Sequence, residues 1–166
     1  MKKTVLALTA AIATASALAI NALAAPDDTI STTVTPVSIA IDILETGPLA
    51  YGNVPLGTAG AVPNPSNFTV QNSGSTNVDL KIAGFNTSGG WNLGSSQGAD
   101  TYVQYYSTSG TPGSWTPLNL TGELFKQNLP PSGSNQQSVF VKLDMPTSTN
   151  NFNQQTMPIK VTAIAP

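Results

Sequence analysis

The sequence predicts an all-β protein, an antiparallel two-sheet sandwich of seven to nine strands. Apolar residues recur at every second position in run after run, which is the period of a strand with one buried face. Between these runs stand clusters of Gly, Pro, Asn and Ser, and no stretch after residue 25 sustains the apolar period of a helix. With 40% hydrophobic residues, 14 Gly and 13 Pro in 166 residues, the chain is rich in turns yet apolar enough to fill one core.

The first element in chain order is residues 1–24. Lys2 and Lys3 precede an apolar and small-residue run that closes with Ala22-Leu23-Ala24, the layout of a signal peptide with a small-x-small cleavage site. Cleavage is expected between Ala24 and Ala25, which keeps Pro26 out of the first mature position. The run is rich in Ala and Thr rather than Leu, Ile and Phe, and so suits cleavage better than permanent membrane anchoring. Residues 25–36 come next as an extended N-terminal arm or first strand, and residues 37–166 as the sandwich domain. Within the arm, Thr29-Ile30-Ser31-Thr32-Thr33-Val34-Thr35 is uncharged, and Pro36 separates it from the run that begins at Val37.

That run opens the strands. Val37, Ile39, Ile41 and Ile43 alternate with Ser38, Ala40 and Asp42. Phe68, Val70 and Asn72 alternate with Thr69 and Gln71, and Val78, Leu80 and Ile82 with Asp79 and Lys81. Tyr102 to Tyr106 is a further run. Val139, Val141 and Leu143 form another, and Met157, Ile159, Val161 and Ala163 the last. Shorter runs near Ile30–Val34, Trp91–Leu93 and Leu118–Leu120 complete the count. The turns at residues 72–75, 87–90, 109–113 and 130–133 hold residues that accept positive φ or fix it near −65°. Trp91, after a glycine turn and before Leu93, is expected to plug the core between the sheets.

Composition removes much chemistry. There is no His, no Cys and no Arg. A Ser-His-Asp triad, a Cys-His pair, a His/Cys zinc site and a bidentate guanidinium clamp are all excluded. Eight carboxylates remain, but no two share a local motif of the kind glycoside hydrolysis uses, and the chain is not expected to be an enzyme. Asp100, with Asn92, Gln97 and Gly98 nearby, is the best loop for a hard cation, yet it reads more simply as an Asx turn. Neither a metal site nor a cofactor is expected. After cleavage, four lysines less eight carboxylates leave a formal charge of −4. The lysines are scattered, so nucleic acid is not an expected partner. An exported domain without disulfides fits a prokaryotic surface, and no membrane span is expected after signal cleavage.

The run Tyr51-Gly52-Asn53-Val54-Pro55-Leu56-Gly57, followed by Phe68-Thr69-Val70-Gln71-Asn72-Ser73-Gly74 and Val78-Asp79-Leu80-Lys81-Ile82, resembles the opening strands of immunoglobulin-like domains of the abnormal-spindle/hydin type. That resemblance implies an immunoglobulin-like sandwich. The later segments Gly90-Trp91-Asn92-Leu93-Gly94, Gly98-Ala99-Asp100-Thr101-Tyr102-Val103 and Met145-Pro146-Thr147-Ser148-Thr149, with Trp115, are similar to small secreted β-sandwich surface proteins of bacteria. In plan they are loosely similar to the TasA/camelysin class of exported fibre proteins.

The sequence supports two functional readings. In the first, the uncharged arm supplies a donor strand with Ile30, Thr32 and Val34 as its inward set. It pairs with a sheet edge of another copy and builds an extracellular filament, pilus or matrix fibre. Scarce surface charge suits association, because edge lysines are what ordinarily block it. In the second, the chain is a monomeric adhesin or carbohydrate-binding module that stacks sugars on Tyr102, Tyr105, Tyr106 and Trp115, with polysaccharide as partner. Three Asn-x-Ser/Thr triplets, at Asn67, Asn86 and Asn119, mark sites where glycans could attach.

Overall fold

The computed structural model describes residues 31–133 and 135–166. The chain divides into two units, Met1–Thr35 and Pro36–Pro166. The signal peptide, its Ala24/Ala25 cleavage site and Ile30 lie outside the described residues. Within the first unit, residues 31–35 are exposed and no strand covers them, so the expected short run near Ile30–Val34 is not a strand over its described part. A Ser/Thr-rich run has no turn of its own to fold it against a neighbour, and a strand exists only in a ladder.

Nine strands occur among the described residues of the second unit: β1 (Ile41–Ile43), β2 (Asn67–Asn72), β3 (Val78–Gly84), β4 (Asn92–Leu93), β5 (Thr101–Ser107), β6 (Thr116–Pro117), β7 (Glu123–Leu129), β8 (Gln136–Asp144) and β9 (Ile159–Ile164). They form two packed sheets. One runs β1-β2-β8-β5-β4, with β6 also on β5, and the other runs β7-β3-β9. Neighbours are antiparallel, except that β4 pairs with β5 in parallel. The pairing there covers only two residues of each strand, and the Asn92 N–H reaches the Asp100 carbonyl at 2.7 Å beside it.

The alternation of β2, β3 and β8 produces the core. Phe68 and Val70 from β2, Val78, Leu80 and Ile82 from β3, and Val139 and Val141 from β8 are buried in one cluster. Each contributes about 1.5–3 kcal/mol by leaving water. The polar member of the β2 set, Asn72, is also buried. Its amide donates to the Thr76 and Leu129 carbonyls, both at 2.8 Å, and so ties the end of β2 to β7 in the other sheet. A second cluster holds Trp91, Tyr102, Leu143 and Met145. Trp91 is thus in the core, with its indole N–H donating to Thr149 Oγ1 at 3.1 Å.

Three strand expectations need correction. The run from Val37 to Ile43 is a strand only over its last three residues, and Val37, Ile39 and Ile43 are exposed, leaving Ile41 to pack on the core. The reason is local: the Ser38 and Ala40 carbonyls accept from Ser75, Ser73 and Gly74 of the neighbouring turn instead of from a ladder. The run Leu118–Leu120 is not a strand. Leu118 is buried with its N–H on the Gln104 carbonyl, while Leu120 is exposed. Strand β7 was not expected, because register shifts along its pairing with β3 break the period of two, and Asn128 takes a φ of 51° there.

Candidate functional site

Edges decide what a sandwich of this kind can bind, because an outer strand presents unpaired backbone groups. The edge of β2 beyond β1 is closed. Leu44 donates its N–H to the Thr69 carbonyl at 3.0 Å, and the Thr69 N–H donates to the Glu45 carboxylate at 2.6 Å. The β7 edge is irregular, with its bulged register against β3. By contrast β9 pairs with β3 without a break over six residues, from Asp79↔Ile164 to Gly84↔Ile159. Among the described residues its other edge carries no strand. Its inward residues Ile159, Val161 and Ala163 pack on the core but stay only partly buried, and Lys160 is its one charge.

Beside the start of β9 opens a cavity of about 1100 Å³. Its walls include Ile43, Leu49, Phe68, Trp91, Met157 and Ile159. The segment after β1 forms one side. It is fastened by Glu45 at one end and at the other by the Ala50–Asn64 bridge, with the Asn64 N–H on the Ala50 carbonyl at 2.8 Å. Further on, the Gly57 N–H donates to the Pro146 carbonyl at 2.8 Å and the Ala61 N–H to the Leu143 carbonyl at 2.8 Å, which holds the loop against β8.

Two polar groups meet this apolar space. Tyr51 comes from the loop and Gln104 from the inward face of β5, where alternation sets it between Tyr102 and Tyr106. Gln104 is only 2% exposed. Tyr51 Oη and Gln104 Oε1 are both buried and stand together in the cavity. Burial pushes the Tyr51 hydroxyl up to about 12, and a hydrogen bond with the Gln104 side chain acts in the opposite direction. A phenol that can donate or accept thus lies beside an amide that can do either. Sequence reasoning did not single out either residue for this. The available signal was the polar Gln104 inside the otherwise inward aromatic set of the Tyr102 to Tyr106 run.

The four aromatic candidates separate. Tyr102 (0% exposed) and Tyr106 (8% exposed) are core residues, not surface rings. The Tyr102 hydroxyl donates to the Phe85 carbonyl at 2.5 Å, and Tyr106 meets Phe125 edge to face at 5.9 Å. Both hydroxyls are raised by burial, Tyr106 to about 12 with the charge of Glu123 as the second cause. Tyr105, on the opposite face of β5, is partly exposed, as is Trp115. Lys142 Nζ lies 4.6 Å from the Tyr105 ring centroid and 5.1 Å from that of Trp115. A cation thus takes up ring surface that a sugar would need. Of the donor-strand candidates, Thr32 and Val34 are exposed, Val34 at 89%, and Ile30 lies outside the described residues.

The few carboxylates act as fasteners. Asp79 accepts the Asn128 N–H at 2.8 Å. Asp144 accepts the Gly60 N–H at 2.6 Å and the Tyr105 hydroxyl at 3.0 Å, and Asp100 accepts the Thr149 hydroxyl at 2.5 Å. Gln97 gives its amide to the Thr58 and Met145 carbonyls, so the loop around Asp100 is bonded to protein. Among the described residues no three carboxylates converge on one point. Asn86 and Asn119 likewise use their side-chain oxygens on backbone N–H groups, of Leu93 at 2.9 Å and of Gly122 at 2.7 Å. No family model matches the chain, and neither a curated protein nor a solved structure matches it.

Proposed function

We propose that the protein is an exported structural protein on an immunoglobulin-like sandwich, a subunit that joins copies of itself into an extracellular filament, pilus or matrix fibre at a prokaryotic cell surface by β-strand addition. The observation that carries this is the β9 edge, regular over six residues and flanked by an open apolar cavity. An added strand would complete that side of the sandwich, with main-chain hydrogen bonds supplying affinity and alternate side chains filling the space. The arm at residues 25–35 suits the role of donor, with Ile30, Thr32 and Val34 as the inward set. A contact between different surfaces of successive copies propagates as an open fibre.

Size-exclusion chromatography and negative-stain microscopy of the chain beginning at Ala25 test this. Concentration-dependent fibres that vanish when residues 25–35 are deleted are the expected result. Fibres that persist unchanged after the deletion would remove the arm as donor. A glycan-binding surface is the second reading, favoured by the partly exposed Tyr105 and Trp115 alone. It predicts a strict monomer that loses polysaccharide binding on Trp115→Ala.

A further inference from the structure

Among the described residues one aromatic side chain stands in solvent. Phe152 is 79% exposed, while every other Phe, Tyr and Trp is at least partly buried. It belongs to the segment between β8 and β9, and the residues on either side of it are fastened. The Asn151 N–H donates to Thr149 Oγ1 at 3.0 Å and the Asn151 amide to the Gly89 carbonyl at 2.6 Å, while the Thr87 hydroxyl donates to Gln155 Oε1 at 2.7 Å. Residues 152–154 form the tip between these anchors. The same Phe152 borders the cavity beside β9, whose walls include Leu49, Phe68, Trp91 and Met157, yet at this exposure its ring is not seated there. Of β9 only Ile159 reaches that space, so a strand laid along β9 would leave most of it open.

One surface therefore carries both an apolar knob and an apolar hole, which is what a self-complementary contact about a two-fold axis requires. Electrostatics let a copy of this rim approach. Glu45 is the one charge around the cavity, and its carboxylate accepts the Thr69 N–H at 2.6 Å. The polar part of the rim is otherwise rich in amides, with Asn53, Asn153 and Gln154 exposed. An amide both donates and accepts, so such a rim can pair with its own copy, whereas like charges facing each other would oppose the contact. We infer that this face is an interface between two copies of the chain, in which Phe152 of each enters the loop cavity of the other. The two rings take about 300–500 Å² out of water. Ile43 and Leu56, also exposed on the cavity wall, and the rim amides supply the rest of the roughly 1,000 Å² that a specific contact needs. The contact stops at two copies and does not use the arm, so it goes beyond strand addition; in a fibre it would join two rows of subunits side by side.

Sedimentation velocity of the chain beginning at Ala25, over a concentration series, separates a species that stops at two copies from fibres that do not. A dimer is expected, and it should persist when residues 25–35 are deleted, which distinguishes its fate from that of strand addition. Phe152→Ser should leave the thermal midpoint of the dilute chain unchanged and raise the dimer dissociation constant at least about tenfold. Ile43→Trp, which fills the mouth of the cavity from its half-exposed wall, should weaken the dimer by a similar factor. An equimolar mixture of the two variants should dimerise more tightly than either alone, because one intact ring and one intact cavity remain to meet. A parent that is monomeric at millimolar concentration, or a dimer that Phe152→Ser leaves within about twofold, overturns the interface. A mixture no tighter than its components overturns the insertion of ring into cavity. Monomers destabilised by Phe152→Ser would place the ring in its own cavity, and monomers with saturable binding of the apolar dye ANS that Ile43→Trp abolishes would assign the cavity to a small apolar ligand; either overturns the second copy as occupant.

Discussion

Two buried tyrosine hydroxyls in this molecule differ in what they bond, and replacing each by hydrogen should have unequal consequences. Tyr102 Oη donates to the Phe85 carbonyl at 2.5 Å, whereas Tyr51 Oη lines the cavity with the Gln104 side chain beside it. Tyr102→Phe therefore strands a carbonyl and is expected to cost about 1–3 kcal/mol. Tyr51→Phe leaves a Gln104 amide that the open cavity can hydrate, so the cost should stay below about 1 kcal/mol. With a urea slope of about 2 kcal/mol per molar, the midpoint should fall by about 0.5–1.5 M for Tyr102→Phe and by less than about 0.5 M for Tyr51→Phe. Tryptophan fluorescence during urea titration reads both, at protein concentrations below assembly. A Tyr51→Phe midpoint as low as that of Tyr102→Phe would refute the reasoning, since it would mean that the Tyr51 hydroxyl is as tightly bonded within the fold as that of Tyr102.

Other outcomes rest on the same geometry. Burial raises the Tyr51 and Tyr106 hydroxyls to about 12 from 10.0, and Tyr102 higher still, so the folded chain holds their protons longer than the unfolded one. Stability should be flat in this respect below pH 10 and fall between pH 10 and 12 as the unfolded tyrosines ionise first. A urea midpoint constant across that window would contradict the burial of these hydroxyls. Leu80→Ala, at a fully buried position of β3, should lose about 2–5 kcal/mol by denaturant titration, and Leu124→Ala, on the exposed face of β7, less than about 1. Gly74→Ala would drive a methyl into the Ser38 carbonyl and to 2.9 Å from the Ala40 nitrogen, both of them backbone. Hydrogen exchange at Ser73, Gly74 and Ser75 should then rise by at least tenfold, about 1.4 kcal/mol of lost protection, with the β3 amides unchanged.

Much of the architecture was legible because β2, β3 and β8 each bury one face, and a half-buried strand writes itself as alternation. Where that condition lapses, the pattern misleads or falls silent. Val37, Ile39 and Ile43 alternate perfectly and are nevertheless exposed, because β1 is an outermost strand whose approach segment is bonded to a turn. Strand β7 hides for the converse reason: its pairing with β3 shifts register, and between the inward Phe125 and Leu129 the position of the same parity is the exposed, polar Gln127. Among the aromatics, alternation separated Tyr102 and Tyr106 from Tyr105, but only packing could say which face was inside.

Taken alone, the sequence determined that this is a β-sandwich poor in charge, without His, Cys or Arg, because composition and period are local properties of the chain. That β9 pairs without a break and carries no strand on its other side among the described residues, and that Tyr51 and Gln104 meet in the cavity beside its start, were decided by tertiary structure. Those two residues stand 53 positions apart in the chain, and their meeting depends on how a loop fastened by Glu45 and the Ala50–Asn64 bridge is laid against β5. No periodicity encodes that contact, because it arises from the closure of two sheets on each other.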